Sequence, residues 1–145
     1  MEKIKITIMS LVGIFGSIIA NALGGWSAAM ATLVIFMAID YITGFMLAMV
    51  FKKSPKTQTG ALSSGIGFKG LCKKGMIFLF IFVAVRLDVT LGIDFVKNAT
   101  ILAFITNELV SIVENAGLMG FPVPKVILNM IDVLKRKGDE EDGKN

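Results

Sequence analysis

The stretch ITNELVSIVENAG, Ile105 to Gly117, decides how often this chain crosses a membrane. It lies in a run from Phe95 to Leu118 that is close to the ~20 residues a spanning helix needs. Yet the stretch carries two glutamates and two asparagines. At about 100° per residue, Asn107, Glu108, Ser111, Glu114 and Asn115 share about a third of the helix circumference, and Leu109, Val110, Ile112 and Val113 cover the rest. Such a helix faces lipid on one side only if its polar stripe meets protein or water.

Three further apolar runs precede it, at about 4–24, 27–51 and 75–93. The 145 residues are 54% hydrophobic, and charge collects between the runs. The chain therefore reads as an all-α integral membrane protein, with a transmembrane helical domain at 1–119. It has four spans, the last at about 95–118, or three if that segment lies flat. Lysine and arginine set the orientation. Lys3 and Lys5 precede the first run, the Gly24-Gly25-Trp26 connector is uncharged, and the basic loop 52–74 holds Lys52, Lys53, Lys56, Lys69, Lys73 and Lys74. Four spans put both termini in the cytoplasm; three put them on opposite sides. Ala20-Asn21-Ala22 imitates a signal-peptide cleavage site, but the small residues there continue a pattern that starts much earlier, so the first run is read as a retained helix.

Pro122 and Pro124 cannot continue a helix. Residues 120–137 read as a proline-containing turn followed by a juxtamembrane amphipathic helix, with Ile127, Met130, Ile131 and Leu134 on one face. That helix either rests on an anionic leaflet, helped by Lys135, Arg136 and Lys137, or packs on its own protein. Residues 138–145 read as a charged, disordered tail.

Several function classes fall away. There is no histidine and one cysteine, Cys72, so an internal disulfide and a Ser-His or Cys-His pair are excluded and a zinc site has no ligand set. No catalytic, metal or cofactor constellation is present, and the chain reads as a non-enzyme. Gly65 to Gly70 matches G-x-G-x-x-G but lacks the βαβ frame of a dinucleotide site; it reads as a flexible, lysine-bearing loop near lipid headgroups. Six lysines between two apolar helices read as a topology signal, with no nucleic-acid partner implied.

Two features point inward. Gly13, Gly16, Ser17, Ala20, Asn21 and Gly24 recur at steps of three and four, forming a stripe that lets transmembrane backbones approach closely. The partner is either another segment or another copy of the chain. Asp40 lies mid-run with Thr43 and Gly44 on its side, Arg86 lies mid-run with Asp88 nearby, and Glu108 lies mid-run in the last segment. Four spans bring Asp40, Arg86 and Glu108 to similar depth. Each charge at the bilayer centre costs about 2.5–3.5 kcal/mol, so three in lipid cost on the order of 10 kcal/mol. They must pair, line water or be neutralised. Either an Arg86 salt bridge locks the bundle or the charges form a polar lumen or trigger.

In three stretches the chain resembles the toxin-secretion/phage-lysis holins. These are IDYITGFMLAMVFKK (Ile39 to Lys53), GIGFKGLCKKGMIFLFIFVAVRLD (Gly65 to Asp88) and NELVSIVENAGLMGFPVPK (Asn107 to Lys125). The likeness covers about residues 30–137. It implies a protein of the bacterial cytoplasmic membrane that forms homo-oligomers and permeabilises the bilayer, so that a cell-wall hydrolase or a large toxin crosses. It implies no catalytic residues and no cofactor. The alternatives are a small-ion or proton channel subunit using Asp40 and Glu108, and a non-conducting, antiholin-like scaffold.

Overall fold

The computed structural model describes residues 1–142, which form helices and connectors with no strand among the described residues. Helix α1 spans Glu2–Ala22 and α2 spans Ala28–Met46, continued by a wider π-helical turn at Leu47–Phe51. Helix α3 spans Ser64–Leu91, α4 spans Val96–Met119 and α5 spans Lys125–Asp142. Three of these, α1, α2 with its π turn, and α4, are long and apolar enough to cross a membrane. Helix α3 is as apolar beyond Gly75, but Lys74, Arg86 and Asp88 interrupt it.

Local chemistry sets the boundaries. Gly24 and Gly25 adopt positive φ between α1 and α2, and the Ser27 hydroxyl accepts a hydrogen bond from the Met30 N–H at 3.1 Å to cap α2. Gly92 ends α3 and Gly120 ends α4, both left-handed, the conformation helices favour just past their last turn. In the connector after α2, Gly60 has φ +71, and a Cβ there would fall 2.0 Å from the Lys52 carbonyl oxygen. Only glycine fits that turn.

The core forms where three stripes meet. Met30, Leu33 and Met37 of α2 face Ile77 and Ile81 of α3 and Ile101 and Ile105 of α4, all buried. Phe80 and Phe104 add a tilted ring contact at 6.2 Å between α3 and α4. Helix α1 stands apart: none of its residues is buried, and Ile4, Ile8, Leu11, Phe15 and Ile18 are exposed. Only Leu23, just beyond its end, joins the core.

Two expectations change. Helix α3 begins at Ser64 rather than near Gly75, so the basic loop shrinks to the residues before it and Gly65 to Gly70 are helical, not a loop. Helix α5 runs on to Asp142, so residues 138–142 are helix rather than tail, while residues 143–145 lie outside the described residues. Helix α5 lies against α4 with Leu134 packed on the core, while Ile127 and Met130 of its apolar face are exposed. Lys135, Arg136 and Lys137 point away, exposed.

Candidate functional site

The core stripes end in polar residues. On α2 the buried positions Met30, Leu33, Met37 and Asp40 follow steps of three and four. On α3, Ile77, Ile81, Ala84 and Asp88 do the same, and Lys74 extends that stripe one step back. On α4, Ile101, Ile105, Glu108 and Asn115 share the inward face. The periodicity that places an isoleucine inside therefore also places a charge inside.

At one end of the core, Lys74 lies between the two acids. Its Nζ donates to Asp40 Oδ2 at 2.9 Å and to Glu108 Oε2 at 2.5 Å. The lysine side chain is 13% exposed and each acid side chain 10%. Asn115 adds a second tier: its Nδ2 donates to Asp40 Oδ1 at 3.2 Å and to Thr43 Oγ1 at 3.0 Å, while the Thr43 hydroxyl donates to the Asp40 carbonyl at 3.1 Å. Gly44 faces Asn115 across this contact: a Cβ on it would lie 3.7 Å from Asn115 Nδ2, an ordinary van der Waals distance. Fully ionised, the three charged groups carry one net negative charge. Removing one member leaves a buried charge with less or no compensation, which costs far more than losing a surface pair.

At the other end, Asp88 works differently. Its carboxylate accepts from the N–H groups of Val96 at 3.0 Å and Lys97 at 2.9 Å, satisfying two open donors at the start of α4. Lys97 in turn donates to the Gly24 carbonyl at 2.6 Å, tying the α1–α2 turn to α4.

This geometry redistributes the sequence-predicted residues. Asp40 and Glu108 come together, but the cation between them is Lys74, not Arg86. Arg86 is exposed, forms no ion pair among the described residues, and lies twelve residues further along α3, about 18 Å at 1.5 Å per residue. Arg86 thus does not share the depth of the two acids. Lys74, grouped with the lipid-facing lysines, is instead half-buried, its ammonium held between the buried Asp40 and Glu108. The polar stripe of α4 splits: Glu108 and Asn115 turn inward, Ser111 is half-buried, and Asn107 and Glu114 are exposed. In the small-residue stripe, Gly13 and Gly16 have nothing within 4 Å, Ser17 bonds back to the Ile14 carbonyl, Ala20 is half-buried and Asn21 exposed, while Gly24 belongs to the turn. Lys52, Lys53, Lys56, Lys69 and Lys73 are exposed. No group of histidine, cysteine or acidic residues that could hold a metal ion occurs among the described residues.

Apolar helices of bilayer length, packed around a lysine held by two buried carboxylates, define a small helical membrane protein with charge inside its bundle. The chain belongs to the bacteriophage holin family, whose model matches residues 17–136. It is 32% identical over 108 residues to a probable holin of Bacillus phage phi105, covering 74% of each chain. It is 34% identical over 132 residues to an uncharacterized protein of Listeria monocytogenes, covering 90% of this chain and 89% of that one. An uncharacterized 14.9 kDa protein in the nagH 3' region of Clostridium perfringens is 33% identical over 124 residues, covering 84% and 88%. No solved structure matches the chain. Family membership gives the chain a holin role at a membrane.

Proposed function

We propose that the protein oligomerises in the bacterial cytoplasmic membrane and opens a lesion through which a cell-wall hydrolase or a large toxin leaves the cell. The observation that carries this reading is α1, an apolar helix of 21 residues with no buried side chain. Its glycine face touches nothing in its own chain, and small-residue faces associate helices in lipid. In this reading the partner is another copy. The four remaining helices are too few to enclose both a wide hole and its wall. Asn107, Ser111 and Glu114, on the outer side of the polar stripe, then line the lumen between copies, and Arg86 joins that exposed polar surface. The Lys74 cluster holds the resting bundle and re-pairs when it opens. Helix α3 serves as a fourth span, with both termini cytoplasmic.

The test is induced expression in a bacterium, with cell density, membrane potential and a cytosolic reporter enzyme followed together. A holin gives abrupt collapse after a lag, with the reporter released once a cytosolic wall hydrolase is co-expressed. Loss of potential without release of the reporter assigns the cluster to a small-ion pathway instead. An unbroken membrane assigns the chain to an inhibitor or scaffold. If Asp40→Asn with Glu108→Gln leaves permeabilisation and its timing unchanged, the charge cluster is not part of the trigger.

A further inference from the structure

A cavity of about 450 Å³ lies between the end of α2, the connector that follows it and the first turns of α3. Its volume falls within the range of small-molecule sites. Four lysines and two carboxylates line it, leaving a surplus of two positive charges. Lys74 is held by both carboxylates. Lys56, Lys69 and Lys73 form no ion pair among the described residues and are exposed at the same opening. Lys69 and Lys73 stand one turn apart on α3, and Lys56 faces the cavity from the connector.

Two further observations point to an anion there. Thr57 lines the cavity, and its hydroxyl is buried with no hydrogen-bond partner among the described residues. Buried polar groups are normally paired, so an unpaired one marks a place where a partner is missing. Gly67 and Gly70 also line the cavity from within a helix, where each glycine is costly relative to alanine. A Cβ on Gly70 would meet nothing within 4 Å, and one on Gly67 only the Tyr41 hydroxyl at 3.7 Å. These glycines keep the helix wall thin beside open space. The rest of the lining is largely apolar, with Phe45 and Leu62 partly exposed.

We propose that this cavity binds the phosphate of an anionic lipid headgroup. Lys56, Lys69 and Lys73 supply the charge and Thr57 supplies a hydroxyl donor, while the acyl chains lie against Phe45 and Leu62. Clustered lysines beside a membrane helix attract anionic lipids generally; the cavity adds a fixed place for one phosphate. The proposal does not depend on pore formation.

The test uses the full chain in detergent micelles, with the amide signals of Gly67 and Gly70 followed by NMR. Dihexanoyl phosphatidylglycerol is titrated in one arm, dihexanoyl phosphatidylcholine in a second and inorganic phosphate in a third. The variant Lys56→Gln/Lys69→Gln/Lys73→Gln is compared with Lys52→Gln/Lys53→Gln/Lys135→Gln, which removes equal charge outside the cavity. Lys74 stays in both, so the bundle keeps its bridging cation. The expected result is saturable binding of phosphatidylglycerol, roughly tenfold or more weaker in the cavity variant and unchanged in the control. Equal weakening in both variants, or an equal response to phosphatidylcholine, overturns the proposal. Inorganic phosphate binding as tightly as phosphatidylglycerol overturns the lipid assignment and makes the ligand free phosphate.

Discussion

Replacing Lys74 with methionine removes the ammonium and keeps an unbranched stem of similar reach. In the intact cluster that ammonium lies 2.9 Å from Asp40 and 2.5 Å from Glu108, with every side chain at most 13% exposed. After Lys74→Met, Asp40 retains only the Asn115 amide as a side-chain donor, and Glu108 retains no side-chain partner among the described residues. Removing one member of a buried ion pair costs about 3–5 kcal/mol. At 1.36 kcal/mol per tenfold, that shifts the balance between the packed bundle and any looser state by roughly two to nearly four orders of magnitude. An exposed pair would give at most about 1 kcal/mol.

Two measurements read this out. Thermal unfolding of the purified protein in detergent should show a large loss of stability for Lys74→Met. In cells, the lag before the membrane fails should shorten, because a bundle that lacks its cation opens more readily. The triple variant Asp40→Asn/Lys74→Met/Glu108→Gln separates charge from packing. Replacing a whole buried ionic set is often neutral, since no uncompensated charge remains. The triple variant should therefore recover most of the lost stability. If Lys74→Met unfolds with the wild type, or if the triple variant is no more stable than Lys74→Met, the bridging role is refuted.

Other outcomes follow from single contacts. Asp88→Ala should cost about 1–2 kcal/mol and speed hydrogen exchange at the amides of Val96 and Lys97, which lose their acceptor. Gly60→Ala should destabilise the connector after α2, because its Cβ meets the Lys52 carbonyl and its φ is +71; Gly65→Ala, with open space around it inside α3, should be neutral or slightly stabilising in the same unfolding assay. Gly13→Leu/Gly16→Leu should leave the fold of the single chain intact, since nothing lies within 4 Å of either, yet weaken self-association in a cross-linking ladder. An unchanged ladder would remove α1 as the contact between copies.

Much of the architecture was legible from apolar runs and breakers. Helices α1 and α4 end within a few residues of the apolar runs, because Gly24-Gly25 and Gly120 follow them and stop helices in a way any reader of sequence can see. The cost of charge in lipid bears on Asp40 and Glu108, which are buried, but it applies equally to Arg86 and Glu114, which are exposed, so cost alone does not choose the inward face. The start of α3 was not legible. Three glycines and three lysines between Gly65 and Lys74 look like a loop, since glycine disfavours helix and lysine marks the water side of a membrane. The fold keeps them helical, and two of those glycines line a cavity instead of bending the chain.

That one boundary decides which cation reaches the acids. Asp40 lies eleven residues before Phe51, where α2 and its π turn end, or about 17 Å along the axis. If α3 starts near Gly75, Lys74 is at the membrane edge, and the only cation deep enough in that helix is Arg86. If α3 starts at Ser64, Lys74 is ten residues up the returning helix, about 15 Å, and therefore level with Asp40. The sequence already carried a sign of this. Lys74, Ile77, Ile81, Ala84 and Asp88 follow steps of three and four, whereas Arg86 falls off that stripe. A charge in phase with a core stripe is directed at the bundle, and one out of phase is directed away. Depth alone nominated Arg86; depth and phase together select Lys74.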